Sequence, residues 1–405
     1  MDDQPPARAA TGGGAAFLVD LLAAGPARRA SHLVLPISRH NRFLVPLGAN
    51  RATAASLASY AALRPRPQRL VRRALAAGGR AGVLSLLPVP RAAIGDGALV
   101  AWLRERLDEP ALVFACGLRR SGAFATPVLQ LFRPDGTAVG YAKLGWDPVT
   151  RTQVAAEAAA LVRTVGLATL RAPRLLAAGT SDDLEVCVTA PMPPRVQRLS
   201  ADFVPSAAVL REVACLDGAL ERTALGASVA VARARAAIGS LPDPVAGELD
   251  SVLDELVETH GATELEFGRW HGDWVPWNMA RDPEMPRSGT PGSGALWVWD
   301  WEYSRSPAPL GFDALHWHYQ LAHVVAGRAA ADAMLDAARA ARGRLEELGL
   351  DDAAIAAIAA AHRLEVRLRA EVAVAAGAAR EPVCDVPAAL LLRPGGDRRV
   401  PRGIR

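Results

Sequence analysis

Lysine is almost absent from this sequence. Of its 46 basic residues, 45 are arginine and a single one, Lys143, is lysine. A bias of this depth indicates pressure on base composition, to which surface positions yield freely. The remaining lysine is therefore a candidate for a role that arginine does not fill. The alternative is chance survival at the surface, and the place of Lys143 in the chain has to decide between the two.

Cysteine and long apolar runs are also scarce. The four cysteines lie far apart and form no C-x-x-C pair, which argues against a structural zinc site and a disulfide framework and suits a reducing cytoplasm. The apolar stretch Ala15–Ala24 contains Asp20 and is too short to span a bilayer. We therefore expect a cytoplasmic protein without a membrane-inserted segment.

The net charge is small, only +4 over 405 residues. No arginine-and-aromatic block and none of the sequence signatures of RNA- or DNA-binding modules is present. We therefore expect no nucleic acid as partner. The sequence does not determine the oligomeric state.

The length suffices for two or three packed units. Composition predicts a flexible leader over residues 1–28 and a flexible tail over 393–405. Between them we expect an accessory α/β domain of unknown role (29–110), an antiparallel sheet with one helix (111–192), and a mainly helical region (193–392).

Alternating apolar residues and turn residues predict the elements of the first half of the chain. In residues 29–110 we predict strands at His32–Ile37, Arg42–Leu47 and Gly82–Pro88, and helices at Ala52–Leu63 and Asp96–Leu107. In residues 111–192 we predict strands at Leu112–Cys116, Val128–Phe132, Val139–Leu144, Arg174–Ala178 and Leu184–Thr189, and a helix at Thr152–Val165.

Lys143 falls near the end of the third strand of the predicted sheet, and Glu157 falls in the helix that follows. Val154 three residues before Glu157 and Leu161 four residues after it place this carboxylate on the inward stripe of the helix. A carboxylate on an apolar face needs a partner, and Lys143 is the natural one. Taken alone, Glu157 could equally be a boundary residue of an alanine-rich helix. Together with the single lysine, the pair predicts a phosphate-binding cation and its anchor.

The segment His271–Asn278 has the sequence H-G-D-W-V-P-W-N. A histidine two residues before an aspartate, with an asparagine five residues after it, is the spacing of a kinase catalytic loop. Asp273 would orient and deprotonate an acceptor hydroxyl, and Asn278 would hold Mg²⁺ through its amide oxygen. Asparagine occurs only three times in the chain, so a chance match at this position is improbable.

An alternating apolar strand then ends in Asp300, which is followed by Trp301 and Glu302. A carboxylate at the end of a strand is suited to be a second ligand of a hard cation. Glu302 is either a further metal or substrate ligand or a loop carboxylate. Asp313 opens a helix, as an N-cap would, and in a kinase-like lobe it would also brace the catalytic loop.

These motifs resemble those of the aminoglycoside phosphotransferase and choline kinase superfamily. The resemblance covers about residues 111–375 and is most specific in the second half of the chain. It implies a two-lobed, protein-kinase-like α+β fold, with an antiparallel-sheet N-lobe, a mainly helical C-lobe and an extra N-terminal α/β segment. It also implies ATP and Mg²⁺ as cofactors, and His271 as a supporting residue of the catalytic loop.

In the N-lobe, the resemblance implies that Lys143 and Glu157 form the nucleotide-binding ion pair and that Ala190–Met192 is the hinge that receives adenine. The turn that would cover the phosphates has only Gly117 and Gly122, fewer glycines than in protein kinases. We therefore expect backbone contacts to the phosphates from Ser121 and Gly122.

The resemblance predicts transfer of the γ-phosphoryl group of ATP to a hydroxyl of a sugar, an amino-alcohol, an aminoglycoside or a similar small molecule. One alternative is a non-catalytic nucleotide-binding regulatory protein, and another is transfer of the AMP moiety. Seven of the nine tryptophans lie between Trp270 and Trp317. They are either core residues or a cage for a quaternary ammonium group.

Overall fold

The structure is a computed structural model that describes residues 31–36, 42–60, 63–95, 97–118, 126–200, 202–287 and 290–393. The predicted leader and all but the first residue of the predicted tail lie outside these residues. The chain forms two compact units. The first contains residues up to 158 together with 173–196, and the second contains 159–172 together with the residues from 197 onward.

The described residues form strands and helices in both units. The strands are β1 (His32–Pro36), β2 (Arg42–Pro46), β3 (Arg91–Ala92), β4 (Val113–Leu118), β5 (Val128–Phe132), β6 (Ala138–Gly145), β7 (Leu170–Arg171), β8 (Leu175–Ser181), β9 (Leu184–Thr189), β10 (Gln197–Arg198), β11 (Glu221–Ala224), β12 (Glu264–Trp270), β13 (Met279–Arg287), β14 (Thr290–Val298) and β15 (Arg305–Pro309). The helices are α1 (Asn50–Ala58), α2 (Arg66–Arg80), α3 (Ala98–Leu107), α4 (Pro148–Arg163), α5 (Ala207–Ala214), α6 (Val229–Ile238), α7 (Val245–His260), α8 (Phe312–Gln320), α9 (Ala330–Glu347), α10 (Asp352–Ala375) and α11 (Ala388–Leu391).

The first unit is built on an eight-stranded antiparallel sheet with the order β3-β1-β2-β4-β5-β6-β9-β8. Apolar clusters cover both faces of this sheet. Leu44 packs into the cluster that contains α3, whereas its neighbours Phe43 and Val45 pack into the cluster that contains α1. This division follows from the alternation of side chains along a strand.

The predicted boundary at residue 110 does not separate two sheets. Strand β2 pairs with β4, with Arg42 opposite Leu118, so the strands from residues 32–92 extend the sheet formed by residues 113–189. Pairing between strands so far apart in sequence leaves no mark on local periodicity, which explains why the sequence did not reveal it.

One predicted strand is wrong and one helix was missed. Residues 82–88 contain a 3-10 turn at Val83–Leu86 that begins after Gly82, whose φ is +74°. Pro88 and Pro90 lack the backbone N–H that a strand needs, so the apolar run does not pair as predicted. Helix α2, which is rich in arginine, was not predicted at all.

The second unit is mainly helical, with two small sheets. The hairpin β13–β14 is flanked by β10 and β7, and β12 lies between β11 and β15. Together with the antiparallel sheet of the first unit, this confirms the predicted α+β class with one sheet-based and one helical unit. In the described part of the chain, no helix has both the length and the apolar character required to cross a bilayer.

Candidate active site

The predicted catalytic loop lies in the second unit between β12 and β13. Strand β12 ends at Trp270, the loop begins with His271, and a 3-10 turn at Pro276–Asn278 leads into β13. The backbone N–H of Trp299 donates to the carbonyl oxygen of Asn278 at 3.1 Å. The hairpin therefore brings Asp300, the residue after Trp299, to the same end as Asn278, although 21 residues separate them in sequence.

The side chain of Asn278 is fixed by Asp273. Its Nδ2 donates to Asp273 Oδ2 at 2.7 Å and to the carbonyl oxygen of Asp273 at 3.2 Å. An amide has donors only on its nitrogen, so this arrangement commits the nitrogen to Asp273 and assigns Oδ1 as the atom that can ligate a cation. The roles of Asp273 in catalysis and of Asn278 in metal binding stay predictions.

Asp273 is an ionised carboxylate at neutral pH. Burial acts to raise its pKa, but the contact with His316 and the positive charge of Arg369 lower the pKa to about 2. The two side chains Asp273 and His316 approach to 3.6 Å between Oδ1 and Nε2. Burial lowers the pKa of His316 itself, so at neutral pH the permanent positive charge near Asp273 is that of Arg369.

Asp313 braces the loop. Its carboxylate accepts from the backbone N–H of His271 at 2.8 Å and from that of Gly272 at 3.2 Å. Helix α8, by contrast, has Gly311 as its N-cap and no side-chain cap, so the predicted N-cap role of Asp313 is not observed. Burial raises the pKa of Asp313 to about 7, against the lowering effect of the two N–H donors.

The ring of His271 connects the loop to the peptide that precedes Asp300. The N–H of Asp273 donates to His271 Nδ1 at 3.2 Å, which assigns the ring proton to Nε2, 3.1 Å from the carbonyl oxygen of Trp299. Burial lowers the pKa of this histidine to about 4, so the ring is neutral. The supporting role predicted for His271 in the catalytic loop stays a prediction.

Asp300 has a left-handed backbone with φ of +70°, which is uncommon for a residue with a side chain. One of its carboxylate oxygens lies within 4.8 Å of one of Glu302. Backbone conformations of this kind cluster at functional sites because the surroundings have to hold them in place. Here the strand pairing and His271 supply that support.

The close approach at Gly272 gives a stability prediction. A Cβ at this position would lie 2.3 Å from the carbonyl oxygen of Tyr303, and the φ of Gly272 is +82°. We expect Gly272→Ala to reduce the free energy of unfolding by roughly 3 kcal/mol, from backbone strain and the steric clash together. Chemical denaturation measures this loss.

Gly349 provides the matched control, since its φ is +87° and a Cβ there would meet nothing within 4 Å. Gly349→Ala should cost only about 1 kcal/mol, the strain contribution alone. Equal losses at the two positions would contradict the packing of the loop against Tyr303.

In the first unit, the structure joins Lys143 and Glu157. Lys143 Nζ lies 2.6 Å from Glu157 Oε2, and both side chains are largely buried, with exposed fractions of 13% and 7%. Lys143 alternates along β6 with Ala142 and Leu144, which belong to the core. Lys143 is therefore not a surface residue that escaped replacement by chance. Its role in nucleotide binding stays a prediction.

The predicted hinge follows β9 in the same unit. The N–H of Ala190 donates to the carbonyl oxygen of Arg174 at 2.8 Å. The N–H of Met192 donates to the phenol oxygen of Tyr60 at 2.9 Å. The Tyr60 ring stacks on that of Tyr141 with the centroids 5.2 Å apart. The two remaining predicted nucleotide contacts, Ser121 and Gly122, lie outside the described residues.

Sequence reasoning missed three residues that contact the predicted site residues. Arg369, which donates from Nη1 to the carbonyl oxygen of Gly272 at 2.6 Å, is one of 45 arginines and lies 97 residues downstream. Tyr60 lies even farther away in sequence, 132 residues before Met192 of the hinge. His316 offered a signal, because it follows Asp313 by three residues and therefore shares a face of α8 with it.

The tryptophans of the second unit contribute mainly to the core. Trp270, Trp274, Trp301 and Trp317 are buried, whereas Trp277 is 45% exposed. Trp270 packs edge-on against Phe312 at 5.3 Å between ring centroids. For the four buried rings, the structure supports the core interpretation over a ligand cage.

Comparisons with known proteins find matches among solved structures only. No protein-family profile matches the chain, and no curated protein matches it in sequence. Among solved structures, an aminoglycoside 2'-phosphotransferase-IIIa in complex with GDP is similar, with 13% identity, a TM-score of 0.40, and coverage of 66% of this chain and 88% of that one. A putative fructosamine-3-kinase from Haemophilus somnus is 9% identical, with a TM-score of 0.37 and coverage of 66% of this chain and 86% of that one. A macrolide 2'-phosphotransferase from Brachybacterium faecium is 14% identical, with a TM-score of 0.36 and coverage of 75% of this chain and 99% of that one.

Proposed function

We propose that this protein transfers the γ-phosphoryl group of ATP to a hydroxyl group of a small molecule. The observation that carries the proposal is the arrangement of the loop at residues 271–278. An ionised carboxylate, Asp273, is bonded to Asn278 at 2.7 Å, and the hairpin places Asp300 beside that asparagine. Phosphoryl transfer requires a carboxylate near the acceptor together with ligands for the cation.

In this proposal, Asp273 accepts a hydrogen bond from the acceptor hydroxyl and takes its proton as the new P–O bond forms. The bond between the γ-phosphorus and the bridging oxygen breaks, and ADP leaves. A carboxylate with a pKa of about 2 is a weak base. It therefore aligns the hydroxyl in the ground state and receives the proton late, when the oxygen has lost electron density to phosphorus. Arg369 and Asp313 hold the loop in place, and Lys143 contacts the phosphates of the nucleotide.

The residues of the hairpin end fit Mg²⁺. The donor set consists of the Asn278 amide oxygen, whose nitrogen is committed elsewhere, and the carboxylates of Asp300 and Glu302. Hard oxygen ligands of this kind suit Mg²⁺, which would neutralise charge on the phosphate oxygens when bound. His271, which donates to the carbonyl oxygen of Trp299, orients the peptide before Asp300 so that the carboxylate can bind the cation.

The proposal is tested by following ADP, AMP and phosphate release from Mg-ATP over a panel of sugars, amino-alcohols and aminoglycosides. Acceptor-dependent ADP formation is the expected result. Acceptor-dependent AMP release would show transfer of the other end of the nucleotide. Nucleotide binding with no acceptor-dependent release would favour a regulatory protein, and the absence of nucleotide binding would contradict the proposal altogether.

The contact between Tyr60 and Met192 gives a separate prediction. If adenine binds the hinge through the N–H of Met192, it has to displace the phenol oxygen of Tyr60. We expect Tyr60→Phe to tighten nucleotide binding roughly fivefold, since one neutral hydrogen bond no longer has to be broken. Isothermal titration calorimetry with ATP or ADP measures this change.

Tyr141→Phe is the control, because it also removes a phenol oxygen beside the hinge, one that contacts Ser59 and Tyr60, but keeps the stacked ring and the Met192 N–H bond to Tyr60. It should leave the dissociation constant within about twofold of the wild type. Unchanged or weaker binding in Tyr60→Phe would show that the Met192 N–H does not bind the nucleotide.

A further inference from the structure

Charge is strongly separated along the chain despite the small total. Residues 21–95 contain 12 arginines and no aspartate or glutamate. The other 330 residues contain 34 basic and 42 acidic residues. The N-terminal part of the first unit is therefore a cationic region, while the rest of the chain carries a net negative charge.

Helix α2 concentrates this charge at the edge of an exposed apolar stripe. Leu70 and Val71 are 66% and 60% exposed. Arg66, Arg73 and Arg80 are also exposed and recur every seven residues, so they form one line along the helix. Pro67, Ala74 and Ala77 complete the exposed apolar stripe.

The opposite side of α2 faces its own unit. Gly79 is buried and packs closely against α1. A Cβ atom at this position would lie 3.2 Å from Cγ2 of Thr53. Arg72 donates to the carbonyl oxygens of Leu57 and Ser59 at 3.3 and 3.4 Å. The helix is thus held to the unit by one side, and its apolar stripe faces outward.

The apolar surface continues beyond the helix. In the 3-10 turn and the residue that follows it, Val83, Leu86 and Leu87 are 51%, 80% and 39% exposed. Of the thirteen large apolar side chains that are exposed among the described residues, five lie within residues 70–87. Such a concentration marks an interaction surface rather than the usual scatter of single exposed residues.

We propose that the face formed by α2 and residues 83–87 binds the surface of an anionic lipid membrane. A helix with an apolar stripe bordered by arginines lies in the membrane interface, where the apolar side chains enter the acyl boundary and the guanidinium groups contact lipid phosphates. At 15 residues, α2 is suited to lie on a bilayer and too short to cross it.

The composition favours lipid over nucleic acid. Residues 63–95 contain no aromatic side chain on which bases could stack, and exposed leucines beside the arginines do not suit a phosphate backbone in water. An acidic protein would also satisfy the arginines. The lipid interface, however, matches both the charge and the unpartnered aliphatic side chains.

The test is flotation of the full-length protein with vesicles of phosphatidylcholine alone and vesicles with about one third phosphatidylglycerol. We expect binding to the anionic vesicles only, weakened by added salt. The triple variant Arg66→Gln, Arg73→Gln, Arg80→Gln should lower the partition coefficient roughly a hundredfold, at about fivefold per arginine. The pair Leu70→Ser, Leu86→Ser should lower it roughly a hundredfold, at about tenfold per leucine.

The matched control is Arg235→Gln, Arg339→Gln, Arg342→Gln, which changes the net charge equally at half-exposed helical positions of the second unit. It should retain binding, and all variants should unfold at the wild-type temperature. If both triple variants lost vesicle binding equally, net charge alone would explain the binding, and the proposal would be overturned. Absence of vesicle binding, binding to neutral vesicles, preference for DNA or RNA, or self-association that Leu70→Ser abolishes would overturn it too.

Discussion

Asp273→Asn is expected to lower acceptor-dependent ADP formation roughly a thousandfold while leaving nucleotide affinity within about twofold of the wild type. Asparagine has the same shape as aspartate and can still accept from Asn278 Nδ2, which bonds Asp273 Oδ2 at 2.7 Å. What it loses is the negative charge and the capacity to take the acceptor proton. Steady-state kinetics with the best acceptor of the panel, together with calorimetry for ATP, measures both quantities.

The matched control for this variant is Asp254→Asn. Asp254 lies on α7 with 63% of its side chain exposed and pairs with Arg235. The same chemical change there should leave turnover unaltered. If Asp273→Asn retained wild-type turnover, Asp273 would not be the proton acceptor. If it lost nucleotide binding as well, the loop rather than the reaction would have been damaged.

Local pattern predicted the central strands of the first unit well. The bounds of β5 and β9 agree with prediction, because each strand alternates and the turn R-P-D-G-T ends β5. Local sequence pattern gave the wrong element at residues 82–88, where pairing with a neighbouring strand would have been needed. The apolar run at residues 82–88 reads as a strand, yet its prolines and Gly82 make it a turn.

In the candidate site too, local pattern predicted the individual segments but not the long-range contacts between them. The spacing from His271 to Asn278 and the strand before Asp300 are local, so the sequence placed them in order. Their mutual arrangement depends on contacts made by Asp313 and Arg369, which come from later helices. Spacing cannot show that an arginine 97 residues away bonds the Gly272 carbonyl.

Lys143→Arg is the second large effect that we expect, with the KM for ATP raised at least tenfold and turnover reduced. The ammonium group lies 2.6 Å from the buried carboxylate of Glu157 and is itself only 13% exposed. A planar guanidinium is wider, and it would turn its fork toward the carboxylate instead of presenting a compact charge to phosphate oxygens. Kinetics at varied ATP concentration measures the change.

Stability separates this functional role from a merely structural one. Lys143→Arg keeps a positive charge beside Glu157, so the unfolding temperature should fall only slightly. Lys143→Met leaves the buried carboxylate without that charge and should cost about 3 kcal/mol. Arg342→Lys, at a half-exposed position of α9, is the reverse substitution and should alter neither property. If Lys143→Arg left the ATP requirement unchanged, nucleotide binding would not explain why this lysine persists, and the buried ion pair with Glu157 would be its only role supported by the structure.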